Sequence, residues 1–280
     1  MNYLLKILNA YFDEILSIEG KLNVSESFLD AKKNDIIKED RTHKLVVSAI
    51  TSYRDLSLTE GGDNLFSPNY SYEMSVDDMD KEIKDIISQQ SCFAVSQAYE
   101  VFEGFLIEVI TEYLLNNQKK LEVLKFANGN LILLRETIRG FVKKGQGTNN
   151  KGLLAIVRKI SLHFQLYEAK NIHEVNITQW FDLVSMIRHT LVHNRQIVSE
   201  VLLKYIEKQK ANEMFDRHFQ LKRINNKVCI YLGRNTASDI INWLNAFAHF
   251  IFVGLSKESN LSLYIPQYIP PPLNFSRFSW

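Results

Sequence analysis

The chain has 280 residues, of which 46% are hydrophobic and 23% are charged, and this composition indicates a globular protein with ample core. Two cysteines are too few for a disulfide framework, so we expect a reducing, cytoplasmic compartment. The amino-terminal residues lack a secretory signal pattern, and the most apolar stretch, residues 243–255, is too short to cross a bilayer. We therefore expect a cytoplasmic protein without a membrane segment.

Charge is distributed unevenly along the chain, although the net charge is only +1. Residues 1–118 carry 10 basic and 21 acidic side chains, whereas residues 119–170 carry 11 basic and 3 acidic ones. The basic block has two interpretations, which the sequence leaves open. It is either a binding surface for a polyanion or a solvated face that the acidic first third neutralises.

The first 76 residues are predicted to form an amino-terminal helical arm and a loop. Apolar residues at helical spacing predict a helix over residues 2–18 and a second helical region over about 25–56, with a possible break near Asp40 left open. Residues 59–77 contain Gly61-Gly62 and Ser67-Pro68 and predict a loop. We place a domain boundary at the end of this loop.

The main domain is predicted to span residues 77–258 and to be mostly α-helical. Helical periodicity predicts helices over residues 78–117, 130–144, 152–164, 177–193, 196–215 and 236–256. Alternation on both sides of Asn225-Asn226 predicts one small β-hairpin at about 219–232, the only sheet expected. Residues 259–280 hold four of the five prolines and predict an extended tail, which packs on the chain's own surface or on a partner.

The segment that points to chemistry is Arg188-His189-Thr190-Leu191-Val192-His193, at the end of a predicted helix. Five helical steps place Arg188 and His193 about 140° apart, so they share a rim rather than a face. Two copies related by a two-fold axis would gather two arginines and the histidines around one cleft. The sequence therefore predicts a site that is completed in a homodimer.

Such a set of side chains suits the cleavage of RNA without a metal. The ribose 2′-hydroxyl attacks the adjacent phosphorus, a step that needs a proton acceptor, a proton donor and a cation. Imidazole accepts or donates a proton near neutral pH, and guanidinium presents a planar fork to phosphate oxygens. DNA lacks the 2′-hydroxyl and should resist this reaction.

The same segment resembles the signature of HEPN domains, in which an arginine precedes a polar residue, three further residues and a histidine. The helix that contains Ala98-Tyr99-Glu100-Val101-Phe102-Glu103-Gly104-Phe105-Leu106 is similar to the first core helix of that family. The resemblance covers roughly residues 78–256. It implies a dimeric helical bundle whose two signature motifs line a shared cleft.

The resemblance also implies a function, because many HEPN proteins are metal-independent ribonucleases in toxin–antitoxin, abortive-infection and CRISPR-linked defence. Arg188 and His193 match the two defining positions, and His189 matches the polar position. One subgroup of toxins carries a nucleotidylated tyrosine two places after the histidine, where this chain has Arg195. That form of control is therefore not expected here.

Several neighbouring residues are candidates for supporting roles. Glu103, Glu100 and Asn194 are predicted to orient an imidazole or the arginine, although glutamates on such helices are more often solvated. The loop 145–150 lacks the spacing of a P-loop, but Lys143, Lys144 and Lys151 around it are predicted to steer RNA by charge. His189 and His193 have the i, i+4 spacing of helical metal ligands, but no third ligand is evident, so we predict neither a metal nor a cofactor.

We therefore expect an endoribonuclease that acts on single-stranded or loop RNA as a homodimer, in which His193 is the general acid or base. Its expected role is that of a toxin or antiviral effector restrained by an antitoxin or sensor protein. The alternative is a non-catalytic HEPN scaffold that binds a partner protein or a nucleotide. A chance occurrence of the motif would instead leave the side chains of Arg188 and His193 far apart in the assembled oligomer, or buried in structural contacts.

Overall fold

The computed structural model describes residues 2–38, 53–54, 65–66, 72, 77–124, 135–147, 150–208, 212–224 and 226–265. These residues are mostly α-helical, as predicted. None of the helices in these ranges combines the length and apolar character needed to span a membrane. The helices are α1 (Leu5–Lys38), α2 (Met79–Asn116), α3 (Lys119–Val123), α4 (Arg135–Lys144), α5 (Lys151–Ile160), α6 (Leu162–Tyr167), α7 (Ile177–His193), α8 (Glu200–Lys208), α9 (Asn212–His218) and α10 (Arg234–Glu258).

The strands form two antiparallel pairs in the described residues. Strands β3 (Gln220–Ile224) and β4 (Lys227–Tyr231) form the predicted hairpin, and Asn226 in its turn adopts a φ of 62°. Strands β1 (Tyr53–Arg54) and β2 (Leu65–Phe66) form a second, two-residue pair. The expectation of a single sheet is therefore wrong, and β1 lies where the sequence predicted the end of a helix.

Helix α1 is one continuous helix, so the predicted interruption between residues 18 and 25 is wrong. A glycine inside a helix costs about 1 kcal/mol relative to alanine, but packing contacts can outweigh that cost. In α1, Leu22 is buried, and the Arg234 guanidinium donates to Asn23 Oδ1 at 2.6 and 2.8 Å and pairs with Glu26 at 3.0 Å. The predicted domain boundary at residue 76 stays a prediction, because residues 73–76 lie outside the described ranges.

Helices α5 and α6 replace the single helix predicted over residues 152–164. Ser161 is extended, with φ −130° and ψ 109°, and its Oγ accepts a hydrogen bond from the Phe164 N–H at 3.1 Å. Glu258 accepts a further bond from the Leu162 N–H at 2.6 Å. A capping serine thus ends one helix and starts the next. The helix predicted over residues 196–215 is represented by α8 and α9, and residues 209–211 between them lie outside the described ranges.

The described chain divides into two compact units. Unit 1 comprises residues 1–14, 99–186 and 242–280, and unit 2 comprises residues 15–98 and 187–241. Helices α1, α2, α7 and α10 each contribute residues to both units. The predicted division into an arm, residues 1–76, and a domain, residues 77–258, stays a prediction. The HEPN-like identity of the bundle likewise remains a prediction.

Unit 1 is built around aromatic side chains from several helices. Phe102 on α2 is fully buried, and its ring centre lies 5.2 Å from that of Phe181 on α7 and 5.3 Å from that of Phe247 on α10. Tyr99 stacks on Phe181 at 5.2 Å. Such ring pairs add about 0.5–1.5 kcal/mol each to the stabilisation from burial. Within unit 1, these ring contacts pack the carboxyl-terminal half of α2 against α7 and α10.

Unit 2 attaches the hairpin to the first half of α2. The Lys222 ammonium pairs with Asp85 at 2.6 Å and lies 4.5 Å from the centre of the Tyr231 ring. The Tyr231 hydroxyl donates to the Lys84 carbonyl at 3.1 Å, and the Leu232 N–H donates to Ser88 Oγ at 3.1 Å. The hairpin is thus held by hydrogen bonds along one helix, and Ile230 is fully buried.

A close backbone contact in unit 1 makes a glycine indispensable at position 152. The Gly152 N–H donates to the Gln146 carbonyl at 2.8 Å, and a Cβ at position 152 would lie 1.6 Å from the Gly145 oxygen. Gly152→Ala should therefore lower the free energy of unfolding by on the order of 3 kcal/mol, because main chain must move. Gly104→Ala, where a Cβ meets nothing within 4 Å, is the control and should raise it by about 0.5–1 kcal/mol. Urea denaturation measures both, and equal stability of Gly152→Ala and parent would contradict this reading.

Buried His218 should give unit 2 a pH-dependent stability. Burial lowers the pKa of His218 below its ordinary 6.5, although the Asp239 carboxylate, 2.9 Å from Nδ1, acts in the opposite direction. The unfolded chain therefore takes up this proton first, and stability present above pH about 6.5 is lost as the pH falls below it. His218→Gln should show a smaller loss in urea denaturation across that range. The exposed control His249→Gln should keep the parental dependence, and identical curves for parent and His218→Gln would refute the assignment.

Candidate functional site

Helix α7 carries the motif, and its boundaries match those predicted from the sequence. Asn176 Oδ1 accepts a hydrogen bond from the Gln179 N–H at 3.0 Å and caps the amino-terminal end. The inward face contains Trp180, Val184, Ile187 and Leu191, all buried. This apolar stripe fixes the rotation of the helix and therefore decides which side chains of the motif reach the surface.

The motif residues have distinct surroundings. Thr190 and Leu191 are buried, Arg188 is partly buried, and His189 and His193 are exposed. The two imidazole ring centres lie 4.6 Å apart, with an angle of 42° between the planes. The structure therefore brings two exposed imidazoles together at the end of α7.

The main chain after α7 turns sharply at Arg195 and Gln196. Both adopt left-handed backbone conformations, with φ values of 50° and 67°. The Thr190 carbonyl accepts hydrogen bonds from the Asn194 N–H at 3.1 Å and from the Gln196 N–H at 3.2 Å. The second bond joins residues six positions apart, one more than in the Schellman motif, and closes the turn that ends the helix. Asn194, a predicted supporting residue, is thus part of the turn that ends the helix.

The segment after the turn pairs with the hairpin through one isolated antiparallel bridge. Ile197 forms a bridge with Cys229 on β4. The Ile230 N–H donates to the Gln196 carbonyl and the Val198 N–H to the Val228 carbonyl, each at 2.9 Å. Two main-chain hydrogen bonds therefore attach the segment after α7 to β4. His193 lies three residues before Gln196, where this attachment begins.

Arg195 is a further functional candidate, outside the motif. Its side chain is exposed two residues beyond His193. A positive φ is uncommon for residues other than glycine and is worth attention near a site. In the sequence, only its position two residues after His193 pointed to Arg195. Its exposure could not be predicted, because the turn that exposes it depends on pairing with β4.

Glu103 and Glu100 belong to unit 1, whereas the motif belongs to unit 2. The Glu103 carboxylate accepts hydrogen bonds from Gln146 Nε2 at 2.5 Å and from Asn150 Nδ2 at 3.0 Å. Asn150 is buried, has a φ of 61° and also donates to the Tyr99 hydroxyl at 2.8 Å. Glu103 therefore fastens the segment that precedes α5. Glu100 is exposed, and the orienting role predicted for both glutamates stays a prediction.

Many basic side chains of residues 119–170 contact carboxylates. Lys151, predicted to steer RNA, pairs with buried Asp182 at 2.8 Å, whereas Lys143 and Lys144 are exposed in the last turn of α4. The other pairs join Lys120 to Glu258, Arg135 and Arg139 to Glu108, and Arg158 to Glu168. Neutralisation inside unit 1 thus accounts for much of the basic block.

Other groups of potential ligands do not form a second candidate site. In the described ranges, no three His, Cys, Asp or Glu side chains lie close enough together to hold a metal ion. Cys92 and Cys229 are both buried. Burial raises the pKa of the Cys92 thiol to about 12, so this cysteine is not a nucleophile at neutral pH.

Comparison of the chain with family models, with curated proteins and with solved structures gave no match. The geometry at the end of α7 therefore carries the functional argument.

Proposed function

We propose that the chain is a metal-independent endoribonuclease of the HEPN type, which acts as a homodimer on single-stranded or loop RNA. The observation that carries the proposal is the pair of exposed imidazoles of His189 and His193, 4.6 Å apart, at the end of the helix that also bears Arg188. Transfer of a phosphoryl group to a neighbouring hydroxyl needs one proton acceptor and one proton donor. Two imidazoles on one exposed turn match that requirement.

In the proposed reaction, one imidazole takes the proton of the ribose 2′-hydroxyl as its oxygen attacks phosphorus. A bond forms between phosphorus and the 2′-oxygen, and the bond to the 5′-oxygen breaks. The second imidazole donates a proton to the departing 5′-oxygen. The products are a 2′,3′-cyclic phosphate and a 5′-hydroxyl, and no oxidant or metal enters the balance. His193 is assigned as the main acid or base, and His189 assists it.

Arg188 is assigned to the negative charge of the pentavalent phosphorane. A guanidinium keeps its charge when partly buried, and its planar fork can bind two phosphate oxygens at once. Removal of one such group from a reaction centre costs about 10²–10³ in rate. Arg195, exposed beside the motif, extends the positive surface towards the next phosphate.

The biological role we propose, a toxin or antiviral effector restrained by an antitoxin or sensor protein, follows from the resemblance of residues 188–194 to the HEPN signature. The turn after α7 supports a stable presentation of the motif to such a partner. The dimer is part of the same proposal, because two copies would supply a second set of imidazoles and guanidinium groups to one scissile phosphate.

The first prediction concerns the motif side chains. His193→Ala should lower the rate of RNA cleavage in EDTA by about 10²–10⁴, because it removes an acid–base group. Arg188→Ala should lower it by about 10²–10³, and Arg188→Lys should recover only part of the loss because an ammonium lacks the planar fork. The measurement is single-turnover cleavage of a labelled oligoribonucleotide.

Exposed residues away from the motif provide matched controls, namely Arg217→Ala and His249→Ala. Both controls should retain the parental rate. Circular dichroism and sedimentation velocity should show that all variants keep the helicity and the dimer of the parent. Cleavage by His193→Ala at the parental rate would disprove the assignment.

The second prediction concerns the substrate. An oligoribonucleotide with a single 2′-deoxy substitution at the cleaved linkage should not be cut there, because the attacking oxygen is missing. Cleavage should continue at unsubstituted linkages in the same molecule, which serve as the internal control. Continued cutting at the substituted linkage would show that water or another nucleophile attacks phosphorus.

The alternative is a non-catalytic HEPN module that binds a partner protein or a nucleotide. The ion pairs of Lys120, Arg135, Arg139, Lys151 and Arg158 favour it, because they leave less of the basic block for RNA. Under this reading the purified parent cuts no RNA, with or without candidate partners. Arg188→Ala then weakens partner binding instead of cleavage.

A further inference from the structure

We propose that His189 and His193 form a two-imidazole site for an exchangeable divalent transition metal, Cu²⁺ or Ni²⁺, and that occupation of this site inhibits the protein. Catalytic and structural metal sites differ from the proposed site, because they need three or four protein ligands. A bidentate site requires only two imidazoles on adjacent turns of one helix, with water in the remaining positions.

The distance between the rings supports this proposal quantitatively. A metal–nitrogen bond of about 2.0–2.1 Å places the metal about 3.2 Å from each imidazole ring centre. Two imidazoles at a right angle around one metal then have ring centres about 4.5 Å apart, and two at the tetrahedral angle about 5.2 Å apart. The observed separation is 4.6 Å, so the pair fits adjacent positions of a right-angled coordination sphere.

Metals differ in their preference for such a site. Right angles between ligands are typical of octahedral Ni²⁺ and tetragonal Cu²⁺, whereas Zn²⁺ in proteins is most often tetrahedral. The general order of affinity for nitrogen ligands also places Cu²⁺ above Ni²⁺ and Zn²⁺. We therefore expect Cu²⁺ to bind most tightly and Zn²⁺ to bind less tightly than Cu²⁺.

The surroundings of the pair favour chelation. Both histidines are exposed, so water can complete the coordination sphere and the metal has direct access. The turn after His193 is secured by the Gln196 N–H bond to the Thr190 carbonyl and by pairing with β4, which limits fraying of the helix end. Since the imidazoles are already close, little conformational freedom is lost on binding.

Metal binding and inhibition are separable parts of the inference. A metal bound to both imidazoles occupies on each ring a nitrogen lone pair that would otherwise accept a proton, so that nitrogen can neither take up a proton nor deliver one. The inhibition therefore rests on the proposed ribonuclease function, whereas the binding rests on geometry alone.

The test is a titration of the untagged full chain with Cu²⁺ at neutral pH, followed by electron paramagnetic resonance. The parent should bind one equivalent with the hyperfine pattern of two nitrogen ligands. His189→Gln and His193→Gln should each weaken binding about tenfold or more, because the second imidazole no longer binds intramolecularly. His249→Gln, an exposed histidine on α10, is the matched control and should bind as the parent does.

Each outcome decides one part. Equal Cu²⁺ affinity in parent, His189→Gln and His193→Gln, or a single nitrogen ligand in the parent, overturns the site. If two-nitrogen binding is found and the parent cleaves RNA, one equivalent of Cu²⁺ should abolish cleavage and EDTA should restore it. Full activity with the site occupied overturns the inhibition. A parent that binds Cu²⁺ through both histidines but never cuts RNA refutes the ribonuclease proposal and leaves the metal site standing.

Discussion

Main-chain hydrogen bonds fix the end of helix α7, and the proposed function depends on that constraint. The Gln196 N–H reaches back to the Thr190 carbonyl, and the residues that follow pair with β4. Left-handed conformations at two residues other than glycine cost free energy, which these bonds offset. A helix end held in this way cannot unwind without loss of the strand pairing. The imidazoles of His189 and His193 are consequently presented together on a rigid surface turn.

Charge has a structural role in one part of the chain and a proposed chemical role in another. In unit 1, Lys151 pairs with Asp182 and Arg158 pairs with Glu168, so carboxylates neutralise part of the basic block. A hydrogen bond from Asn150 to Glu103 likewise holds the polar segment before α5. Gly152 lies so close to the Gly145 oxygen that a side chain would not fit there. In unit 2, by contrast, the motif presents exposed imidazoles and Arg195 to solvent. The composition of a segment therefore did not indicate which of its charges are available for binding.

Periodicity in the sequence predicted α2, α7, α10 and the hairpin, because each keeps one apolar face or a strict alternation. It failed at α1, where two helices were predicted but one continuous helix forms, held in part by the contacts of Arg234 with Asn23 and Glu26. Periodicity also failed to predict the break at Ser161. The cap there is completed by Glu258 of α10, a helix that is distant in sequence. The motif residues could be named from the sequence, but their exposure could not, since it follows from the buried stripe of α7 and the pairing of residue 197 with β4.

The chemical identity of the ends that the purified protein leaves on a cleaved RNA in the presence of EDTA tests the proposed mechanism. Attack by the 2′-hydroxyl, assisted by the α7 imidazoles, predicts 2′,3′-cyclic phosphate and 5′-hydroxyl ends, which mass spectrometry distinguishes from the alternatives. Ends that carry a 5′-phosphate and a 3′-hydroxyl, or cleavage that requires an added divalent metal, would contradict the account.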